Sequence, residues 1–239
     1  MKRLASIVLV AGVFGGCTDD ADDYPIRPHD EFPVTPGAQG VIGRVCVASD
    51  LRDLSTCSSE HAGGLAVQMG TLETTTAPDG TFTFPAPTDA ATTFTVTSTA
   101  GGGIRVVPTT SAFSSTAIVP AIDADLFARM LSSNGILLDA NHGSILASVT
   151  RDGEPVSGIS ATSQPVSAFG PFFDASSPVT WGLGGTGTRG MIWIPGLTAG
   201  MVDLSFNHVL GGLETTVAGV TVRNGGVTIL DTALPGTIP

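Results

Sequence analysis

Long apolar runs and lysine are both missing from nearly all of this chain. The apolar stretch near the N-terminus, residues 4–14, has 11 residues, whereas a membrane-spanning helix needs about 20. Lys2 is the only lysine, and 21 acidic residues against 10 basic ones give a formal net charge of −11. Because this charge repels phosphate, we expect neither nucleic acid nor anionic lipid head groups as partners.

Cysteine and histidine are also scarce, which argues against a metal centre. The four histidines lie far apart in the sequence and lack the spacing of metal ligands. Of the three cysteines, Cys46 and Cys57 are expected to form a disulfide in an oxidising, exported compartment, with free thiols as the alternative. A zinc site is the weakest hypothesis, because His61 alone cannot complete it. We predict no metal and no cofactor.

No catalytic motif stands out in the sequence. It contains no Gly-x-Ser-x-Gly elbow of the kind that presents a nucleophilic serine. Residues 185–190 match G-x-G-x-x-G, but a dinucleotide site needs that loop to open a helix, and the β-like residues 191–195 follow instead. We therefore predict that the protein is not an enzyme, with an envelope hydrolase as the remaining catalytic alternative.

The chain is rich in glycine, proline, threonine, serine and valine. It has 31 glycines and 16 prolines among 239 residues. Short runs of β-branched residues between such turn residues are typical of antiparallel sandwiches and barrels. The composition predicts an all-β fold.

The first residues have the order of an export signal: Lys2 and Arg3, an apolar run, then two glycines. Residues 13–17, Val-Phe-Gly-Gly-Cys, resemble the lipobox of bacterial lipoproteins. The resemblance implies removal of a signal peptide, residues 1–16, and a palmitate-type acylation of Cys17 that anchors the chain in the cell envelope. The residue after Cys17 is Thr18 rather than an aspartate, and the resemblance takes this to imply sorting to the outer membrane. A non-lipidated signal with a free cysteine is the alternative.

Residues 17–38 combine six acidic residues with four prolines. Acid and proline together disfavour a packed core. This segment is predicted to be a disordered linker between the lipid and the folded part.

Two series of β-like runs come next, in predicted domains at residues 39–120 and 143–239. The first series comprises residues 41–47, 65–69, 71–76, 81–84, 92–97, 104–107 and 116–119. The second comprises residues 144–150, 159–163, 179–183, 191–194, 201–207, 217–223 and 227–230. Between them, residues 121–142 hold a predicted connecting helix at 123–134, which Asp123 can cap and Asn134-Gly135 can end.

The two series have the pattern of divergent copies of one unit. Residues 76–85 align without gaps on residues 186–195, with a threonine, a turn glycine four residues on, alternating apolar residues and a proline in both. The preceding strands also correspond, residues 64–67 with 158–161. Two matches in the same order predict a tandem repeat.

Residues 40–45, 62–67 and 76–84 of the first copy resemble the carboxypeptidase regulatory-like domain family, and residues 143–149 and 154–159 resemble it in the second. The family consists of small, transthyretin-type β-sandwiches. The resemblance implies two tandem Greek-key sandwiches joined by the short helix. It also implies a non-catalytic module that contacts an envelope protein or a glycan, with no catalytic residue to transfer.

Three aromatic residues mark the best candidate for a ligand surface. Trp181, Trp193 and Phe172 lie on neighbouring runs of the second copy, and aromatic faces can stack on sugar rings. A core role for the tryptophans is the favoured interpretation, and a carbohydrate-binding lipoprotein is the alternative. The main prediction is a non-catalytic, membrane-anchored structural or binding module of the cell envelope.

Overall fold

The computed structural model describes residues 40–85, 93–101, 103–112, 118–174, 181–210 and 212–236, with only the backbone of residue 213. The predicted signal peptide at 1–16, the linker at 17–38 and the lipid site Cys17 lie outside these residues. We call residues 40–123 the first half of the protein and residues 142–236 the second half.

The described part contains eighteen strands and one helix, in agreement with the predicted all-β class. The strands of the first half are β1 Val41–Ala48, β2 Cys57–Ser58, β3 Ala66–Met69, β4 Leu72–Thr75, β5 Thr81–Phe84, β6 Thr93–Thr97, β7 Val106–Val107, β8 Thr109–Ala112 and β9 Ile118–Asp123. After α1, Ala124–Ser133, come β10 His142–Arg151, β11 Glu154–Pro155, β12 Ile159–Gln164, β13 Phe172–Asp174, β14 Trp181–Gly182, β15 Met191–Thr198, β16 Gly200–His208, β17 Leu213–Val222 and β18 Val227–Ala233.

The first half is a two-layer sandwich. One layer has the strand order β2-β1-β9-β7, with β5 also paired to β1, and the other has the order β8-β6-β3-β4. Alternate residues of the two layers meet in a common core, as strands with one buried face require. Its largest fully buried rings are Phe84 and Phe94, which stack with centroids 6.2 Å apart.

The predicted disulfide is confirmed in this half. Cys46 of β1 bonds to Cys57 of β2, with their Cα atoms 5.4 Å apart. The bond ties the loop 49–56 to the buried end of β1. On the chain-entropy model, a loop of this length contributes about 3 kcal/mol to stability.

The second half is built in the same way. The order β14-β13-β15-β10-β18 forms one layer, and β12-β16-β17 forms the other. Ile145, Ile192 and Ile194 of the first layer face Leu204 and Phe206 of the second, and all five are at most 1% exposed. Each half therefore has an apolar core of its own.

The sheets of the two halves are continuous. Strand β18 pairs with β10 on one side and, in parallel, with β8 of the first half on the other, so that one ten-stranded sheet runs through both halves. A third apolar cluster lies against this sheet and draws on both halves and the helix: Ala48, Leu51, Ile122, Phe127, Met130, Ile136, Leu146, Trp181, Met191, Trp193, Val227 and Ile229. We call it the shared cluster.

The helix predicted at 123–134 is confirmed as α1, Ala124–Ser133. The carboxylate of Asp123 accepts the backbone N–H of Leu126 at 2.7 Å, which is the capping bond expected of this residue. Phe127 and Met130 turn into the shared cluster, and the Phe127 ring meets Trp193 edge-on at 6.4 Å. The helix thus packs onto both halves as well as connecting them.

Four strands were not predicted, namely β2, β8, β11 and β13, and some of the predicted runs were too long. Strand β8 follows Pro108 directly, where the sequence predicts an end, and β13 is only three residues long. The run predicted at 104–107 contains a strand only at Val106–Val107. Residue 92, residues 116–117 and residues 179–180, which belong to three other predicted runs, lie outside the described residues.

The segments that align in the sequence make equivalent hydrogen bonds in the two halves. In the first half, the N–H of Leu65 donates to the hydroxyl oxygen of Thr76 at 2.8 Å, and that hydroxyl donates to the carbonyl of Ala62 at 2.6 Å. Thr76 is 5% exposed, so these are buried bonds that join two loops at the end of the sandwich.

Thr186 makes the same two bonds in the second half. The N–H of Ile159 donates to its hydroxyl oxygen at 2.9 Å, and the hydroxyl donates to the carbonyl of Val156 at 2.7 Å. It is also 5% exposed. The aligned threonines therefore have the same structural role in both copies.

The aligned turn glycines are equivalent too. Gly80 and Gly190 have φ angles of +80° and +67°. Their carbonyls accept from Val45 and Val149, each at 2.9 Å, and a Cβ on either glycine would stand 2.7 or 2.5 Å from that valine's carbonyl oxygen. Only glycine combines a positive φ with so close an approach.

Candidate functional site: the cleft between the halves

The structure brings the three predicted aromatic residues together, but in the interior. The Trp193 ring lies 5.3 Å from Phe172 and 5.7 Å from Trp181, centroid to centroid. Trp193 is 0% exposed and Trp181 9%, while Phe172 is half-buried. A sugar can stack only on a ring with a free face, so the two indoles act here as part of the shared cluster rather than as an open ligand surface.

The G-x-G-x-x-G loop binds an anion, and that anion is the chain's own. Asp174, 3% exposed, accepts the backbone N–H groups of Gly187 at 2.9 Å, Arg189 at 2.7 Å and Met191 at 3.0 Å. Backbone N–H groups that converge on one point form such anion-binding concavities. Strand β15 follows the loop, so it opens no helix for a dinucleotide phosphate, as the sequence predicts.

The residue rows of the ten-stranded sheet explain where a cleft opens. Trp193, Leu146 and Ile229 form one row across three strands, because Leu146 is in register with both partners, and all three are buried in the shared cluster. Two residues further along, Ser148 is in register with Met191 and Asp231. Since paired residues lie on the same face of a sheet, this second row continues the same surface.

The first half covers the second row only in part, since Met191 is buried, Ser148 is half-buried and Asp231 is exposed. A cleft of about 600 Å³ lies between this row and the disulfide-tied loop, with Ser148, Thr150 and Asp231 at the sheet and Arg52 and Leu54 opposite. Clefts of a few hundred Å³ are the usual size for small-molecule sites.

Asp231 is the unusual residue of the cleft. Its side chain reaches solvent, but the surrounding atoms displace enough water to raise the pKa of its carboxyl above the ordinary value. No ion pair or hydrogen bond joins this carboxylate to another residue in the part of the chain that the structure describes. Its charge is therefore left to water or to a ligand.

Opposite Asp231, an ion-pair network joins the halves. Asp50 accepts from the Nε and Nη2 of Arg52 at 3.0 and 2.8 Å, and from Arg189 Nη1 of the second half at 3.0 Å. Burial by itself would raise the pKa of Asp50, but the hydrogen bonds and charge of Arg52, with Arg189, hold it below the ordinary value. The network fixes two guanidinium groups at the rim of the cleft.

Two of the described histidines have local partners outside the cleft. His142 Nδ1 lies 2.6 Å from Asp139, which lowers the pKa of Asp139, and His208 Nδ1 accepts the N–H of Leu210. Among the described residues, no group of three or more His, Cys, Asp or Glu side chains could hold a metal ion.

Sequence reasoning missed Asp231 and Arg189. Two weak signals pointed to them. On β18, the alternation Val227, Ile229 places an acid at the next position of the same apolar face. In the second copy, Arg189 replaces the turn aspartate, Asp79, that bonds Thr81 locally in the first copy.

No protein-family model matches the chain, and no curated protein does. Solved structures give weak likenesses. GBS52, the minor pilin of Streptococcus agalactiae, is 14% identical, with 84% of this chain and 99% of that chain covered at a TM-score of 0.26. The shaft pilin SpaA of Lactobacillus rhamnosus GG is 9% identical, with coverage of 84% and 99% at 0.26.

The Bacillus anthracis TIE protein is 14% identical at a TM-score of 0.25, and the match covers 82% of this chain but only 34% of that protein. Likenesses at this level support no statement about function. Within the described residues, no helix has the length and apolar character needed to cross a bilayer.

Proposed function

We propose that this protein is a non-catalytic, lipid-anchored structural module of the bacterial cell envelope. In this role, the folded part is a stiff spacer or display unit that contacts an envelope protein or a glycan. Two copies of a carboxypeptidase regulatory-like sandwich form the unit.

The observation that carries this proposal is the way the halves are joined. One sheet, the shared cluster and the Asp50–Arg189 ion pair all cross the boundary between them. Domains that move relative to each other meet through small, polar interfaces, whereas a large apolar interface couples them. We infer that the joined halves resist bending, which suits a spacer.

The proposed location in the cell envelope rests on the N-terminal sequence. Acylation of Cys17 would place the chain in the envelope, and Thr18 favours the outer membrane. The linker at 17–38 would hold the fold off the bilayer by up to about 70 Å if it is extended like polyproline. Its acidic residues would keep it away from anionic head groups.

Mass spectrometry of the native protein tests the proposed lipid anchor. We expect an N-terminal acylated Cys17, and we expect Cys17→Ser to move the protein from the membrane to the soluble envelope fraction. An intact, unmodified Met1 on the native protein would refute the lipid anchor.

A pull-down from intact envelopes tests the module role. The lipidated protein should enrich a specific envelope protein or glycan, and the Cys17→Ser variant, which cannot be anchored, should enrich less of it. Turnover of any substrate in a hydrolase screen would contradict the non-catalytic assignment.

A further inference from the structure

We propose that the cleft between the halves binds a neutral, polyhydroxylated ligand of mono- or disaccharide size. This inference goes beyond the spacer role and uses a different surface from the buried tryptophans. A spacer without a ligand would remain a spacer, so the two proposals can fail separately.

The floor of the cleft offers hydrogen-bonding groups of every kind. Ser148 and Thr150 are hydroxyls that both donate and accept, and Asp231 is an acceptor without a partner among the described residues. On the rim, Arg189 uses one N–H on Asp50 and is 42% exposed, so its other N–H groups can donate. Sugar hydroxyls require this mixture of donors and acceptors within one site.

The charges around the cleft exclude ligands that carry charge of only one sign. A cation drawn to Asp231 would also meet the guanidinium groups of Arg52 and Arg189. An anion drawn to those guanidinium groups would meet Asp231 and the carboxylate of Asp50 that already holds them. A neutral ligand meets no like charge and can use both signs as hydrogen-bond partners.

Apolar side chains in the cleft can contact the apolar faces of a sugar ring. Met191, Ile229, Leu54, Pro120 and Pro155 border the polar floor. The C–H faces of a sugar ring are apolar and contact such side chains when no aromatic ring is present. A volume of about 600 Å³ accommodates one or two rings.

The desolvation of Asp231 supports the same conclusion. A carboxylate whose charge is disfavoured in the folded protein lowers stability, and such groups concentrate at functional sites. A ligand hydroxyl that donates to this carboxylate would stabilise its charged form. The penalty on the charge is therefore reduced when a sugar binds.

The test is a titration of the full chain, carrying Cys17→Ser to remove the lipid, with maltose, cellobiose, lactose and N,N′-diacetylchitobiose. Amide NMR shifts should move and saturate for at least one disaccharide, at residues 52–55, 148–150, 188–191 and 229–231. Asp231→Ala should weaken that binding about tenfold or more, and Ser148→Ala about threefold. Glu73→Ala, an exposed carboxylate on β4 at the far edge of the same sheet, should leave it unchanged.

Three results would overturn the proposal. The first is the absence of saturable shifts with all four disaccharides. The second is unchanged affinity in both Asp231→Ala and Ser148→Ala when their spectra show a native fold. The third is tighter binding at the same residues by spermidine, phosphate or glycine, which would assign the cleft to a cation, an anion or a zwitterion.

Discussion

At the scale of single residues, two buried threonines hold the two copies in the same way. Thr76 and Thr186 each accept one backbone N–H and donate to one backbone carbonyl, at distances between 2.6 and 2.9 Å. Without the hydroxyl, a backbone N–H and a backbone C=O would lose their partners together. Such unsatisfied groups are more costly than the bond itself is favourable.

Valine has the shape of threonine without the hydroxyl, so Thr76→Val and Thr186→Val remove these bonds without leaving a cavity. We expect each to lower the free energy of unfolding by about 1–3 kcal/mol, measured from urea unfolding midpoints. Thr83→Val, on the exposed face of β5, is the control and should change little. A large loss in one copy and none in the other would contradict the equivalence of the two threonines.

Unlike the two threonines, Asp231 lowers the stability of the fold, because its charge opposes folding. Its pKa is raised in the folded state, so above that pKa the ionised group is less favourable in the fold than in the unfolded chain. Below the ordinary value of about 3.9, it is protonated in both states and the penalty is absent. Stability should therefore rise as the pH falls through the raised pKa.

Asp231→Asn tests this sign directly. The variant should melt at a higher temperature than the parent at pH 7, and the difference should disappear towards pH 4, as followed by thermal unfolding across that range. A variant that is less stable at pH 7, or a difference that does not depend on pH, would contradict the penalty assigned to the charge of Asp231.

At the scale of elements, the loop before β15 depends on a carboxylate from another strand. Asp174 ends β13 and collects three backbone N–H groups of residues 187–191 while almost fully buried. A Cβ at Gly187 would overlap the carbonyl oxygen of Asp174, so the loop approaches closely only because that residue is glycine. The loop also carries Arg189, whose side chain reaches the first half.

Asp174→Asn replaces one acceptor oxygen by a donor that faces backbone N–H groups. We expect a loss of about 3 kcal/mol in the free energy of unfolding, because bonds to a buried charge are among the stronger ones. Asp203→Asn is the matched control: its exposed carboxylate accepts a single N–H, from Gly219 at 2.8 Å, so its loss should stay under about 1 kcal/mol. Equal losses in the two variants would contradict the role given to Asp174.

Elements with strong local signals could be predicted from the sequence, and elements fixed by distant contacts could not. The cap at Asp123, the disulfide and the aligned Thr76 and Thr186 are local patterns, and the structure bears them out. Strand β8 is different, because only one of its two partners, β6, is near it in the sequence, and the other, β18, is more than a hundred residues away. The cleft was missed for the same reason: its residues meet only when both halves are folded.

At the scale of the whole molecule, three kinds of interaction cross the boundary between the halves, so we expect the halves to behave as one body. The parallel pairing of β18 with β8 supplies backbone hydrogen bonds, the shared cluster supplies apolar contacts, and Arg189 supplies a charge for Asp50. The sequence predicts two tandem domains, at 39–120 and 143–239, and this division stays a prediction. The cleft keeps its shape only if the halves stay fixed relative to each other.

The distance between spin labels on the two halves tests this rigidity most directly. Labels at Thr83→Cys and Thr216→Cys, in a chain that carries Cys17→Ser, report on exposed strand positions of the first and second half. Pulsed electron-spin measurements should give one narrow distance distribution. A broad or two-peaked distribution would show that the halves move independently and would contradict the single rigid body on which the spacer role depends.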